Sequence, residues 1–189
     1  LTLPHSSRAG ESVIECGNLI YAGTKTSVCF SDEFLSAAQR QTTIATERRI
    51  KPVKLGSDEL FKFPFVVMTG EDEFTFTAKE RENLKTYLES GGFLLASAGC
   101  SNEAWDRSFR REITRIFGEA ALTRIEMDHP LFRTVNKIES FRFKAGSGNG
   151  FLEGLALNGK TVCVYSAEGL NDTAHTSGCC CCGGNEILN

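Results

Sequence analysis

The sequence predicts an α/β domain of three layers: a mostly parallel, open sheet with helices on both faces. Three observations predict it. The short apolar runs Phe65-Val66-Val67-Met68 and Phe93-Leu94-Leu95-Ala96 lack the polar alternation of a strand with one wet face. Each therefore reads as a strand covered on both sides. Between them lies a helix with explicit start and stop signals, and a second helix follows the later run after a short turn. Strand, helix, strand, helix in that order gives a parallel sheet through right-handed crossovers.

The elements follow in chain order. Residues 1–12 contain Pro, Ser and Gly without periodicity and read as a flexible lead-in, which leaves 13–189 as the domain. Val13-Ile14 with Asn18-Leu19-Ile20-Tyr21 forms a first strand closed by Gly23. Ser31 or Asp32 caps a helix that sets Phe34, Leu35 and Ala38 on one face. The basic run Arg48-Arg49-Ile50-Lys51-Pro52-Val53-Lys54 reads as a solvated approach to a strand. Thr77 and Glu80 stand at the spacing of a capping box, and Leu84, Tyr87 and Leu88 continue as an apolar stripe. Ser90-Gly91-Gly92 ends that helix, because glycine takes the left-handed cap without steric cost. Ser101 or Asn102 caps the next helix, whose apolar face is Trp105, Phe109, Ile113, Ile116 and Phe117. Beyond residue 118 the pattern thins: a strand over Leu122–Ile125, a turn at Asp128-His129-Pro130, a glycine-rich loop over 146–150, and a late strand over Thr161–Tyr165.

Composition narrows the classes. The chain has 189 residues, 41% hydrophobic and 24% charged, with a net charge of −3, which suits one domain and argues against a nucleic-acid binder working by bulk electrostatics. The one basic run has no aromatic stacking platform beside it. No apolar run approaches the roughly 18 residues of a membrane span. The eight cysteines are too sparse and irregular for a disulfide scaffold. The chain opens on Leu1 rather than Met and stops at Asn189 after a polar turn, the pattern of a fragment or a processed chain.

In open α/β sheets, ligands bind at the carboxyl ends of the strands. The loops expected there are Gly23-Thr24-Lys25, Thr69-Gly70-Glu71-Asp72 and Ser97-Ala98-Gly99-Cys100. Cys100 lies between a buried strand and a helix amino end, where amides and the helix dipole favour a thiolate; the alternative is a small apolar thiol filling the helix–sheet junction. A nucleophilic Cys100 needs a base, and of the three histidines His129, beside Asp128, is the candidate. His5 lies in the lead-in. The candidate ligand-binding set is Thr69, Gly70, Glu71, Asn102, Asp128, Asn171 and Asp172. Hydrolase, zinc-protease and nucleotide-binding motifs of the Gly-x-Ser-x-Gly, His-Glu-x-x-His, Gly-x4-Gly-Lys and Gly-x-Gly-x-x-Gly types do not occur.

The four consecutive cysteines 179–182 pose a separate question. Cys179 and Cys182 have the Cys-x-x-Cys spacing of zinc and thiol-redox sites. Two ligands are half a zinc site, and the candidates for the other two are His175, Cys163 or a second chain. A structural turn between flanking glycines and a redox pair are the alternatives.

The ordered pieces resemble a known family. Phe63 to Gly70, Phe76-Thr77 opening a helix, Leu88 to Ala96, Trp105 to Glu112, Met127 to Phe132, and Gly159 to Tyr165 leading into Leu170-Asn171-Asp172 are similar to the bacterial domain of unknown function 4159, over about residues 13–189. The resemblance implies a class I glutamine amidotransferase-like, or flavodoxin-like, sheet and sets Cys100 near the nucleophile elbow of that fold. Ala96-Ser97-Ala98 stands where a Gly-x-Cys-x-Gly elbow is usual, Cys100 is displaced along the turn, and no late His-x-Glu pair follows. Such domains continue into one more helix, which this chain is expected to lack, and are often parts of exported bacterial proteins, which implies an extracytoplasmic setting. The leading expectation is thus a non-enzymatic module that binds a small molecule or a protein partner through its strand-end loops. The alternatives are a cysteine hydrolase or amidotransferase-like enzyme using Cys100, and a zinc protein using the cysteine run.

Overall fold

The two apolar runs lie at the centre of the sheet. In the computed structural model, which describes residues 13–22, 32–141, 150–171 and 182–183, they become β3 (Phe65–Gly70) and β4 (Phe93–Ala98). Parallel to them run β1 (Cys16–Ile20), β2 (Lys51–Lys54) and β7 (Lys160–Ser166). β5 (Thr123–Ile125) and β6 (Leu152–Leu157) extend the sheet in antiparallel register. Among the described residues the order is β2-β1-β3-β4-β7-β6-β5, so β4 is the middle strand. The chain leaves β1 for a neighbour on one side, then crosses to β3 on the other, and the strand order reverses there.

Successive side chains of a strand face opposite ways, and both faces are covered. α2 (Ala78–Glu89) and α3 (Glu103–Phe117) lay Leu84, Tyr87, Leu88, Trp105, Phe109 and Ile113 against Val66, Met68, Leu94, Ala96 and Tyr165. On the other face Val67, Leu95 and Val164 pack with Phe132, Leu152 and Leu170. Phe34 of α1 (Asp32–Gln41) joins this second cluster. That double burial is why β3 and β4 carry apolar residues without alternation.

The capping box forms as the spacing requires: Thr77 Oγ1 accepts from the Glu80 amide at 3.2 Å, and Glu80 Oε2 accepts from the Thr77 amide at 2.7 Å. Glu80 Oε1 also accepts from the Ala22 amide at 2.8 Å, which ties the end of β1 to the start of α2. Gly91 takes the left-handed φ of 96° that stops α2. Asn102, rather than Ser101, caps α3.

Four strands differ from the reading of the sequence. The basic run contains the edge strand β2 itself. Only Val53 of that strand is buried, too thin a pattern to read, while Pro52 and the flanking lysines keep the edge from pairing further. β6 carries Gly154, where Ile125 packs against the backbone, and its apolar pattern is interrupted there. β8 (Leu170–Asn171) and β9 (Cys182–Gly183) form a short parallel pair, so the backbone at the end of the cysteine run is paired with the segment after β7. Among the described residues no helix is long and apolar enough to cross a membrane.

Candidate functional site

Between the end of β4 at Ala98 and the start of α3 at Glu103 the chain has four residues in which to reverse. It does so by placing two consecutive non-glycine residues in left-handed backbone: Cys100 at φ 49°, ψ 36° and Ser101 at φ 54°. Each such residue crowds its Cβ against the following carbonyl, at a cost of about 1–2 kcal/mol. Neighbouring bonds over-determine the bend. Asn102 donates its amide to the Gly99 carbonyl at 3.0 Å, and its Oδ1 accepts from the Trp105 amide at 3.0 Å. Ser101 Oγ donates to the Glu168 carbonyl at 2.8 Å. Ser97 Oγ accepts from the Leu170 amide at 2.5 Å and donates to the Leu170 carbonyl at 3.4 Å. Two serines thus staple the segment after β7 across the end of β4, and the Cys100 side chain is left exposed beside it.

The three described thiols differ in kind, and none is in a disulfide. Burial pushes the Cys16 thiol up to about 11 and raises Cys163 further, so neither supplies thiolate at neutral pH. Of these three, Cys100 alone is exposed. Exposed acidic side chains stand at the carboxyl ends nearest Cys100 and beyond, Glu71 and Asp72 after β3, Glu168 after β7 and Asp128 beyond β5, whereas the exposed Lys54 ends β2 at the sheet edge.

The other sequence-derived candidates divide. Thr69 is 1% exposed, and its carbonyl accepts from Tyr21 Oη at 2.8 Å. Gly70 is buried; a Cβ there would collide with the Trp105 indole nitrogen and the Tyr21 hydroxyl. Glycine at this position makes room for the pair in which Trp105 Nε1 donates to Tyr21 Oη at 2.6 Å. Tyr21, Trp105, Phe74 and Phe76 fill the space beneath the β1–β3 reversal point. Register sets Thr69 beside Ser97 and Gly70 beside Ala98, which brings the Glu71 loop next to the Cys100 turn. His129 caps a 3-10 turn over Pro130–Arg133, its Nδ1 accepting from the Leu131 amide at 3.1 Å. That bond uses the one lone pair of a neutral imidazole and assigns the proton to Nε2. β5, which leads to His129, lies three strands from β4, roughly 14 Å along the sheet.

Asn171 and Cys182 are described in their backbone alone, as members of β8 and β9. His5, Gly23, Thr24, Lys25, Asp172, His175 and Cys179 lie outside the described residues. Among the described residues no group of three or more His, Cys, Asp or Glu side chains is placed to hold a metal ion. The serine staples escaped the sequence reading. Ser97, a hydroxyl inside an otherwise apolar strand, is the local sign that could have pointed to them.

The family model for the domain of unknown function DUF4159 matches residues 21–176. The chain belongs to that family. No curated protein matches it.

The structure gives the Trp105–Glu112 stretch of this DUF4159 domain a physical role. Trp105 is fully buried and stacks on Phe109 at 5.3 Å. Asp106 accepts from Tyr165 Oη at 2.5 Å and from Arg110 Nε at 2.8 Å, while Arg110 grips Glu153 of β6 with both terminal nitrogens. Burial first, and then the bond to Asp106, holds the Tyr165 hydroxyl well above its ordinary range. Ser108 accepts from the Phe74 amide at 3.1 Å, and Arg111 donates to the Phe74 carbonyl. Glu112, fully buried, is held by Arg81 at 2.9 Å and Arg115 at 2.8 Å. These side chains fasten α3 to α2, to the loop after β3 and to the antiparallel extension, which leaves the carboxyl edge around Cys100 as the candidate site.

Proposed function

We propose that this DUF4159 domain is a binding module with a flavodoxin-like, class I glutamine amidotransferase-like arrangement, and that it engages a small molecule or a protein partner through the carboxyl edge around Cys100. One observation carries the reading: an exposed cysteine held in left-handed backbone at the end of the middle strand. Strain of that kind persists only where surrounding bonds enforce it, and it gathers at functional sites. The exposed Glu71, Asp72, Asp128 and Glu168 favour a neutral or cationic ligand over an anionic one. Binding is preferred to turnover because His129, the candidate base, already spends its lone pair on Leu131.

The test is a survey of neutral and cationic fragments against the isotope-labelled protein by amide chemical shifts. Shifts are expected at Glu71, Cys100, Ser101 and Glu168, and they are expected to vanish after Cys100 is blocked with iodoacetamide. Shifts confined to other regions, or unchanged by the block, overturn the reading.

The elbow geometry also favours a second reading, in which Cys100 is a nucleophile. Its thiolate would attack an ester or amide carbonyl, form a thioester and expel the alcohol or amine, with the proton passing through a base. His129 serves as that base only if the Leu131 contact opens and the segment after β5, three strands from β4, moves to the Cys100 turn. Hydrolysis of an activated ester with a stoichiometric burst, lost in Cys100→Ala, would establish this reading in place of the first.

A further inference from the structure

A cavity of about 610 Å³ lies on the α1 face of the sheet. Its floor is the apolar half of that face, with Phe65, Leu95 and Val164; α1 walls one side with Leu35, and the 3-10 turn over Pro130–Arg133 closes another with Phe132. Phe34, Phe65 and Phe93 stand as a ladder of near-parallel rings, 5.8 Å between successive centroids and inclined by 23° and 9°. All three are half-buried, so ring surface remains open to the cavity. Among the described residues no Asp, Glu, Lys or Arg lines it, and the Cys16 thiol in its wall stays protonated through neutral pH because burial raises it.

Much of the polar lining is already engaged. Thr42 Oγ1 donates to the Ala38 carbonyl at 2.6 Å, and Gln39 donates to Thr46 Oγ1 at 3.0 Å. Gln41 and Thr43 stand exposed at the mouth. We propose that this cavity binds a neutral, mainly apolar small molecule, a flat ring system or an alkyl chain, whose single hydrogen-bonding end meets solvent at Gln41 and Thr43. The volume and lining are those of small-molecule sites, apolar walls with few polar groups. A charged group inside would lose its hydration with nothing to replace it. The flat phenyl ladder gives such a molecule a surface to lie against. The inference is independent of Cys100, which lies at the carboxyl edge, whereas the ladder begins at the amino ends of β3 and β4.

The probe is N-phenyl-1-naphthylamine, neutral and fluorescent in apolar surroundings. Saturable binding of one probe per chain is expected, with displacement by 1-decanol at least tenfold more effective than by decanoate or decyltrimethylammonium. Ala38→Phe and Val164→Phe, which fill the cavity from the helix and from the sheet, are each expected to weaken binding at least tenfold while cooperative thermal unfolding is retained. Blocking Cys100 is expected to leave probe binding unchanged. No saturable binding, equal displacement by charged and neutral chains, or full binding in both folded filling variants overturns the proposal.

Discussion

Trp105→Ala is expected to destabilise the domain by about 4 kcal/mol, the cost of emptying a fully enclosed aromatic site that cannot collapse. The indole is completely buried, stacked on Phe109, tilted against Phe74 and Tyr165, and bonded through Nε1–H to Tyr21 Oη. The loss has two parts. Removing the ring leaves a void among aromatic neighbours held by sheet and helix, and it leaves the Tyr21 hydroxyl without its donor, although that hydroxyl keeps its bond to the Thr69 carbonyl. Trp105→Phe refills most of the void and should recover more than half of the loss. Urea unfolding of the two variants measures the difference; equal losses would mean that the hydrogen bond, not the packing, dominates.

The second large effect is expected at Gly70. Gly70→Ala inserts one methyl where the Trp105 indole and the Tyr21 hydroxyl already meet. Overpacking of this kind costs about 3 kcal/mol where the neighbours cannot move, and here both are fixed by their mutual bond and by stacking. Because two of the three closest contacts are with Trp105, Gly70→Ala combined with Trp105→Ala should cost less than the sum of the single changes by more than 1 kcal/mol. Additive losses would show that the methyl is accommodated elsewhere. The same cycle separates two meanings of this glycine: room for a ligand at the carboxyl edge, or room for an indole beneath it.

The sequence made parts of this domain legible where the deciding signals are local. β3 and β4 announce double burial by their unbroken apolar runs, and α2 announces itself by Thr77, Glu80 and Gly91, which act on residues within a few positions. β2 and β6 were invisible for the opposite reason. Val53 is the single buried residue of β2, and Gly154 removes a side chain where Ile125 fills the space. Both strands are specified by partners distant in the chain. The site divides in the same way. That Cys100 would fall between strand and helix follows from its neighbours. Its left-handed backbone does not, because local preference opposes it. Beside the local bonds of Asn102, support for that conformation comes from far away: Ser97 bonds Leu170 across 73 positions and Ser101 bonds Glu168 across 67. Their place at a strand end marks Thr69 and Gly70 as candidate ligand residues, and only the packing of Tyr21 and Trp105 shows how deeply they lie.

Cys100 sits in left-handed backbone that its own side chain opposes, and the proposed function rests on that strain. The direct measurement compares the unfolding free energies of Cys100→Gly and Cys100→Ala under identical conditions. Both remove the thiol, but only glycine relieves the left-handed backbone. The relief outweighs the extra entropy glycine gains on unfolding, so Cys100→Gly should be the more stable by about 0.5–1 kcal/mol. If Cys100→Gly proves less stable than Cys100→Ala, the turn stores no strain at this residue, and the elbow is an ordinary connection between β4 and α3.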